Sequence, residues 1–294
     1  MTYKFKGHIL AITTVLIWAS TFIVSKVLLE QMRPLQILFY RFLMAVVFLS
    51  IIFPKFRKPE SLKKELFFMV TGGTLALYFF FENSALKHTY SSNVSLIVAT
   101  IPFITAFLSG LLYKTPFFNR KNLIGFTVSY LGVLLIILNG NKLVGVEPIG
   151  DLFALIAALM FAIYTVILQR IQKGYQIAEL TRKIFFYGLV ILGVIILVSQ
   201  ESLHIEVITT KIMISMLFLG LIASTLAFLM WNSAIQYIGS IKTNQYIYLV
   251  PVITTILSAV VIREKITIIT VIGAALIILG LYSSQHEKRG RRLE

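Results

Sequence analysis

Residues 82–113 read ENSALKHTYSSNVSLIVATIPFITAFLSGLLY, and residues 231–262 read WNSAIQYIGSIKTNQYIYLVPVITTILSAVVI. Laid over one another, Asn83-Ser84-Ala85 meets Asn232-Ser233-Ala234 and Pro102 meets Pro251 at one constant offset. After a slip of one residue, Gly125 and Gly132 meet Gly273 and Gly280. The chain is a duplicated unit. A repeat inside a mostly apolar chain is a recurrent plan of membrane transporters, whose substrate sites lie where the repeats meet.

Working outward, 58% of the 294 residues are hydrophobic and only 13% are charged, with a mean hydropathy of +0.88. No water-soluble core can hide that much apolar surface, so the sequence predicts a membrane protein. Helical spans need roughly 20 apolar residues, and ten are readable: 7–29, 34–53, 66–87, 91–113, 121–139, 148–169, 182–200, 210–236, 242–262 and 267–285. The short connections leave no room for a soluble domain or nucleotide-binding cassette. The first span is too long for a signal-peptide core, carries Lys26 and has no small-residue cleavage motif, so it is expected to be retained.

The net charge of +15 marks topology rather than nucleic-acid binding. If the amino terminus is cytoplasmic, the inner connections hold the dense basic groups, such as Lys55, Arg57, Lys58, Lys63 and Lys64, and later Arg170, Lys173, Arg182 and Lys183. The outer ones hold only Arg33, Lys87, Lys142, Lys211, Arg263 and Lys265. The positive-inside rule then puts both termini in the cytoplasm of a multi-pass protein of the cell membrane. Residues 286–294 form a basic cytoplasmic tail able to touch anionic lipid.

Each half holds five spans, an odd number, so the second half enters from the opposite side and the repeat is inverted. Two such bundles can rock against each other, a physical route to alternating access. Along the first span Thr14, Trp18, Thr21 and Ser25 share one helical face. Such a stripe either lines a cavity or packs helices closely, and Trp18, near mid-span and away from the interfacial belt, favours the cavity.

Arg41 in the second span and Glu82 in the third are expensive in lipid. Both lie about 10 Å inside the outer boundary at 1.5 Å per residue, so they are candidates for an ion pair or for proton coupling. Thr71, Thr74, Tyr78 and Glu82 share a face, and Trp231 occupies the position matching Glu82 in the second half. A carboxylate facing an indole suits an ammonium group. Asn244, Tyr248, Pro251 and Thr255 form the best polar face of the second half. Pro102 and Pro251 each remove a backbone donor inside a span and are candidate hinges. The glycines of the fifth and tenth spans read as close helix packing, within one chain or between copies.

Other chemistries lack their residues. His8, His88, His204 and His286 are scattered, so no metal site is expected. With one aspartate, Asp151, no cysteine and no G-x-S-x-G, H-E-x-x-H or G-K-[ST] pattern, no enzyme activity and no cofactor is expected.

The stretches IWASTFIVSK in span one, RPLQILFYRFL entering span two, ENSALKHTYSSNVSLIVATIPFITAFLS, NSAIQYIGSIKTNQYIYLVPVITTILS and REKITIITVIGAALIILGLY resemble the EamA type of the drug/metabolite transporter superfamily over nearly the whole chain. The resemblance implies ten helices in two inverted five-helix repeats, a central cavity and secondary transport of small metabolites, often export, with amino acids prominent among substrates. One departure is visible. The glutamate common after the ninth span is present as Glu264, but Lys114-Thr115 stands at the matching place of the first half.

The reading is therefore an all-α membrane protein with an EamA-like repeat at 7–139 and a second at 148–285. It moves a small metabolite, most readily an amino acid or related amine, by alternating access. Its expected cavity residues are Trp18, Thr21, Tyr78, Glu82, Trp231, Asn244 and Tyr248. Membrane lipids and, for coupling, protons are the other expected partners; nucleic acid is not, and the oligomeric state, a monomer included, is left open. The rivals are a lipid-handling flippase or scramblase-like protein with a lateral groove, and a non-transporting scaffold.

Overall fold

The computed structural model describes residues 3–55, 57–89, 91–113, 120–140, 148–205, 208–253, 256 and 267–285. The basic tail, His286, Glu264, Thr255, Lys114 and Thr115 lie outside the described residues.

The fold is all-helical among the described residues. The first half contains α1 (Tyr3–Leu29), α2 (Pro34–Ile52), α3 (Leu62–His88), α4 (Ser91–Val98), α5 (Ile101–Tyr113) and α6 (Arg120–Gly140). The second contains α7 (Pro148–Ile171), α8 (Ile177–Ser199) and α9 (Thr210–Leu217), then a π-helical segment (Phe218–Leu226) that runs into α10 (Ala227–Ile238). After these come α11 (Ser240–Gln245), a 3-10 turn (Tyr246–Tyr248) and α12 (Ile268–Gln285). Among the described residues, seven helical stretches are long and apolar enough to cross a membrane, with Val94–Tyr113 and Thr210–Ile238 each counting as one. Two shorter apolar helices, Asn122–Ile136 and Ile268–Ser284, stand where the fifth and tenth spans are expected.

Local chemistry sets several boundaries. Pro34 opens α2, where its missing N–H costs nothing, and the Gln36 side chain accepts from Arg33 N at 2.8 Å. The Ser61 and Thr209 hydroxyls cap α3 and α9. Gly239, at φ +83°, turns the chain sharply between α10 and α11.

The two prolines act one turn upstream. Pro102 sits in the first turn of α5, and the helix before it stops at Ala99–Thr100 because proline cannot donate to a carbonyl in the preceding turn. Pro251 follows the 3-10 turn at Tyr246–Tyr248 in the same relation. The π segment carries no such signal. There the Ala227 backbone N–H donates to Ile222 O, five residues back, which is the π register, and Thr225 Oγ1 donates to Gly220 O at 2.8 Å.

The halves interleave. α1 lies on α10, α2 on α8, α3 on α7 and α8, and α6 on α12. Glycines make two of these approaches possible: a Cβ at Gly72 on α3 would fall 2.5 Å from Ile184 O of α8, and one at Gly132 on α6 would fall 2.5 Å from Gly273 O of α12. The glycine stripes of the sequence therefore pack against one another within one chain.

Candidate functional site

At one end of the bundle the first half is tied to the second by polar contacts. Arg182 on α8 donates to the carbonyls of Phe53 and, at 2.7 Å, Lys55, just past the end of α2. Arg57 donates to Gly174 O at 2.8 Å and lies 4.6 Å over the Tyr175 ring. Several basic residues read from the sequence as topology markers thus also join the halves.

Deeper in the bundle the polar stripes divide by depth. On α1, Thr14 is fully buried and donates to Leu10 O at 2.8 Å and Ala227 O at 3.3 Å, and Ser25 is buried too, so these two pack. Trp18 and Thr21 line a cavity. On α3, Thr71 and Thr74 are satisfied by carbonyls of their own helix, at 2.6 and 3.0 Å. Tyr78 and Glu82, further along, face the cavity, and Tyr78 OH donates to Glu82 Oε1 at 2.5 Å. Such i, i+4 placement is what lets a phenol reach a carboxylate one turn away.

Arg41 completes the polar wall. It is 2% exposed, its Nε donates to Ser224 Oγ of the π segment at 3.0 Å, and its guanidinium lies 4.3 Å from the centroid of Phe79. The expected ion pair is not formed: both side chains line the cavity, yet among the described residues the pairs within 4.0 Å are Glu60 with Arg57 and with Lys64, and Glu65 with Lys183. The reason lies in the anchors, since Ser224 holds one charge and Tyr78 the other.

The remaining wall is apolar and comes from both halves, with Phe22, Phe79, Val98 and Ile101 from the first and Phe161, Phe228, Ile247 and Val250 from the second. Phe161 of α7 and Phe228 of α10 stand 5.8 and 5.1 Å from Trp18, centroid to centroid. Trp18 Nε1 donates to Ala223 O of the π segment at 3.2 Å, which fixes the indole. The cavity measures about 30 Å³, roughly the space of one water. A desolvated charge in such surroundings attracts an opposite charge far more strongly than at the surface.

Three expected residues lie elsewhere. Trp231 is fully buried behind Trp18, at 4.7 Å between ring centroids, and its indole nitrogen has no partner among the described residues. Asn244 Nδ2 donates to Thr105 Oγ1 and Thr165 Oγ1, each at 2.9 Å, tying α11 to α5 and α7. Tyr248 packs on Phe126 and lines a separate cavity of about 280 Å³ with Tyr130 and Thr100. Sequence reasoning missed Phe79, Phe228 and Ser224. Phe161, which also lines the cavity, was missed as well.

A family model described as the EamA-like transporter family matches residues 5–138 and again residues 148–284. The chain belongs to the EamA-like transporter family. It is 30% identical over 291 residues to an "uncharacterized transporter" of Archaeoglobus fulgidus, covering 96% of this chain and 99% of that protein. It is 26% identical over 299 residues to a "probable amino-acid metabolite efflux pump" of Salmonella typhimurium, covering 98% and 97%. A solved crystal structure superposes with a TM-score of 0.74 at 17% identity, over 95% of this chain and 96% of that one, a likeness of fold. The EamA-like chain is thus a multi-pass membrane protein of a transporter family, and the Arg41–Tyr78–Glu82 cavity is its candidate site.

Proposed function

We propose that this EamA-like protein is a secondary carrier, working as an exporter, for an amino acid or related amine. It is built as ten transmembrane helices in two inverted repeats, 7–139 and 148–285, with both termini and the basic tail in the cytoplasm of a cell-membrane protein. The observation that carries the reading is Glu82, held by Tyr78 inside an aromatic-walled cavity between the interleaved halves. An intramembrane carboxylate is costly unless it has a task, and beside aromatic faces it suits an ammonium group. Glu82 serves as charge partner of the cationic group or as the proton-linked acid. The name of the Salmonella typhimurium relative supports the substrate class. The breaks upstream of Pro102 and Pro251 are where the chain would bend as the halves rock.

The test is flux in proteoliposomes of substrates chosen by thermal stabilisation against amino acids, amines, nucleosides, sugars and organic acids. A ligand at about 100 times its dissociation constant stabilises by roughly 2.7 kcal/mol. Glu82→Gln is expected to abolish uptake of the stabilising compound or its dependence on pH. Unchanged flux with unchanged pH dependence removes both roles of Glu82, and flux confined to lipid analogues replaces the carrier with a lipid-handling protein.

A further inference from the structure

Two charged side chains face the cavity, and neither is neutralised at contact distance by the other. Among the described residues the one hydrogen bond of Arg41 leaves from Nε, so its two terminal nitrogens have no protein acceptor. Glu82 accepts Tyr78 at Oε1, and its Oε2 has no described donor. The two groups attract each other without coming within 4.0 Å.

The free atoms define what fits between them. A guanidinium offering its terminal nitrogens is a fork that matches a carboxylate bidentately. A carboxylate oxygen among aromatic faces matches an ammonium. A ligand with an ammonium alone leaves the Arg41 charge desolvated with a like charge close by, and a ligand with a carboxylate alone does the reverse at Glu82. A ligand carrying both on one carbon satisfies both and leaves the net charge of the site unchanged.

We infer that Arg41 is the carboxylate receptor of this site and that the substrate is held as a zwitterion, its carboxylate on Arg41 and its ammonium on Glu82. This rests on the carrier reading above and narrows it to α-amino acids, excluding amines that lack a carboxylate. The apolar side chain of the substrate lies against Trp18, Phe161 and Phe228. Arg41 and Glu82 stand on α2 and α3 of the same half, whereas Phe161 and Phe228 come from the other.

The test compares three compounds on one carbon skeleton by thermal unfolding of the purified full-length protein: leucine, 3-methylbutylamine and 4-methylpentanoate. The same triplet is run on the phenylalanine skeleton with 2-phenylethylamine and 3-phenylpropanoate. The amino acid is expected to stabilise the wild type and the two fragments are not. Arg41→Gln should weaken the amino acid at least about tenfold and bring the amine up to or above it, because a charge-assisted contact is lost. Glu82→Gln should turn the preference toward the carboxylate fragment. Arg41→Lys, with the charge but not the fork, should weaken the amino acid by about tenfold.

An amine that binds the wild type as tightly as its amino acid overturns the zwitterion while leaving a cation carrier standing. A carboxylate fragment that binds equally well, unaffected by Glu82→Gln, also overturns it. No shift with any amino acid or amine removes the carrier reading as well. If the Arg41 variants do not fold, the wild-type triplets and Glu82→Gln decide.

Discussion

Glu65 on α3 accepts from Lys183 Nζ at one oxygen and from Tyr187 OH at the other, both of α8 and both at 2.5 Å, with the two charged side chains only 14% and 16% exposed. One carboxylate thus fastens the first half to two successive turns of a helix in the second, and Lys183 also lies 4.5 Å over the Phe68 ring. Exposed pairs contribute about 0–1 kcal/mol and breaking fully buried ones costs about 3–5, so Glu65→Gln is expected to cost about 1–3 kcal/mol. A double-mutant cycle of thermal unfolding with Lys183→Met isolates the coupling. Additive losses would show the contact contributes nothing.

Arg41 depends on the π segment. Ser224→Ala removes the acceptor of its Nε, and losing a hydrogen bond to a buried charge is expected to cost about 1.5–3 kcal/mol. Ser224→Thr, which keeps a hydroxyl, should recover part of that loss. Equal unfolding temperatures for wild type and Ser224→Ala would mean the guanidinium is held by something else.

Gly280 and Gly193 should respond oppositely to a methyl group. A Cβ at Gly280 would come 2.6 Å from Gly125 O of α6, whereas one at Gly193 meets nothing within 4 Å. Gly280→Ala is expected to cost about 1–3 kcal/mol by forcing α12 from α6. Gly193→Ala should gain about 0.4–1 kcal/mol by restricting the unfolded chain. Parallel melting curves in one detergent check both.

Asn232 is satisfied on both sides, with Tyr164 OH donating to its Oδ1 at 2.6 Å and its Nδ2 donating to Thr181 Oγ1 at 2.9 Å. Tyr164→Phe orphans the buried oxygen and is expected to cost about 1–3 kcal/mol. A neutral result in urea or thermal unfolding would show that water or a rotated amide takes over.

Acid should loosen the contacts made by Glu60. The hydrogen bond from Lys64, then that from Tyr175 and the nearby Arg57, hold its carboxyl below the usual carboxylate range of about 4.5. A depressed value in the fold means the contribution is present above the ordinary value and is lost as pH falls through the lowered one. Wild type should therefore lose its advantage over Glu60→Gln as pH drops below about 4.5, and a difference constant with pH would contradict the assignment.

The duplicated stretch made much of this legible. The motifs Asn83-Ser84-Ala85 and Asn232-Ser233-Ala234 mark equivalent helices, but they do not mark equivalent jobs. Asn83 donates to Phe79 O of its own helix and its Oδ1 has no described partner, while Asn232 bridges α7 and α8. On the polar faces, helical periodicity identified Trp18, Thr21, Tyr78 and Glu82 together with Thr14, Thr71 and Asn244. Only packing separates those that face a cavity from those that satisfy a neighbour's carbonyl or hydroxyl. Ser224 was invisible because nothing in FLGLIASTL departs from an ordinary apolar helix.

By itself the sequence determined an apolar, duplicated chain of the EamA-like kind, because hydropathy and repeated motifs are properties of order along the chain. It also determined that the costly charges inside spans include Arg41 and Glu82. Only the tertiary structure decided that these two share a cavity without touching, since Ser224 holds one and Tyr78 the other. It also decided that the glycine stripes meet inside one chain, and that Trp231, Asn244 and Tyr248 stand away from the charged cavity. Those outcomes depend on how interleaved helices rotate against each other, and periodicity along one helix does not fix which face its neighbour will cover.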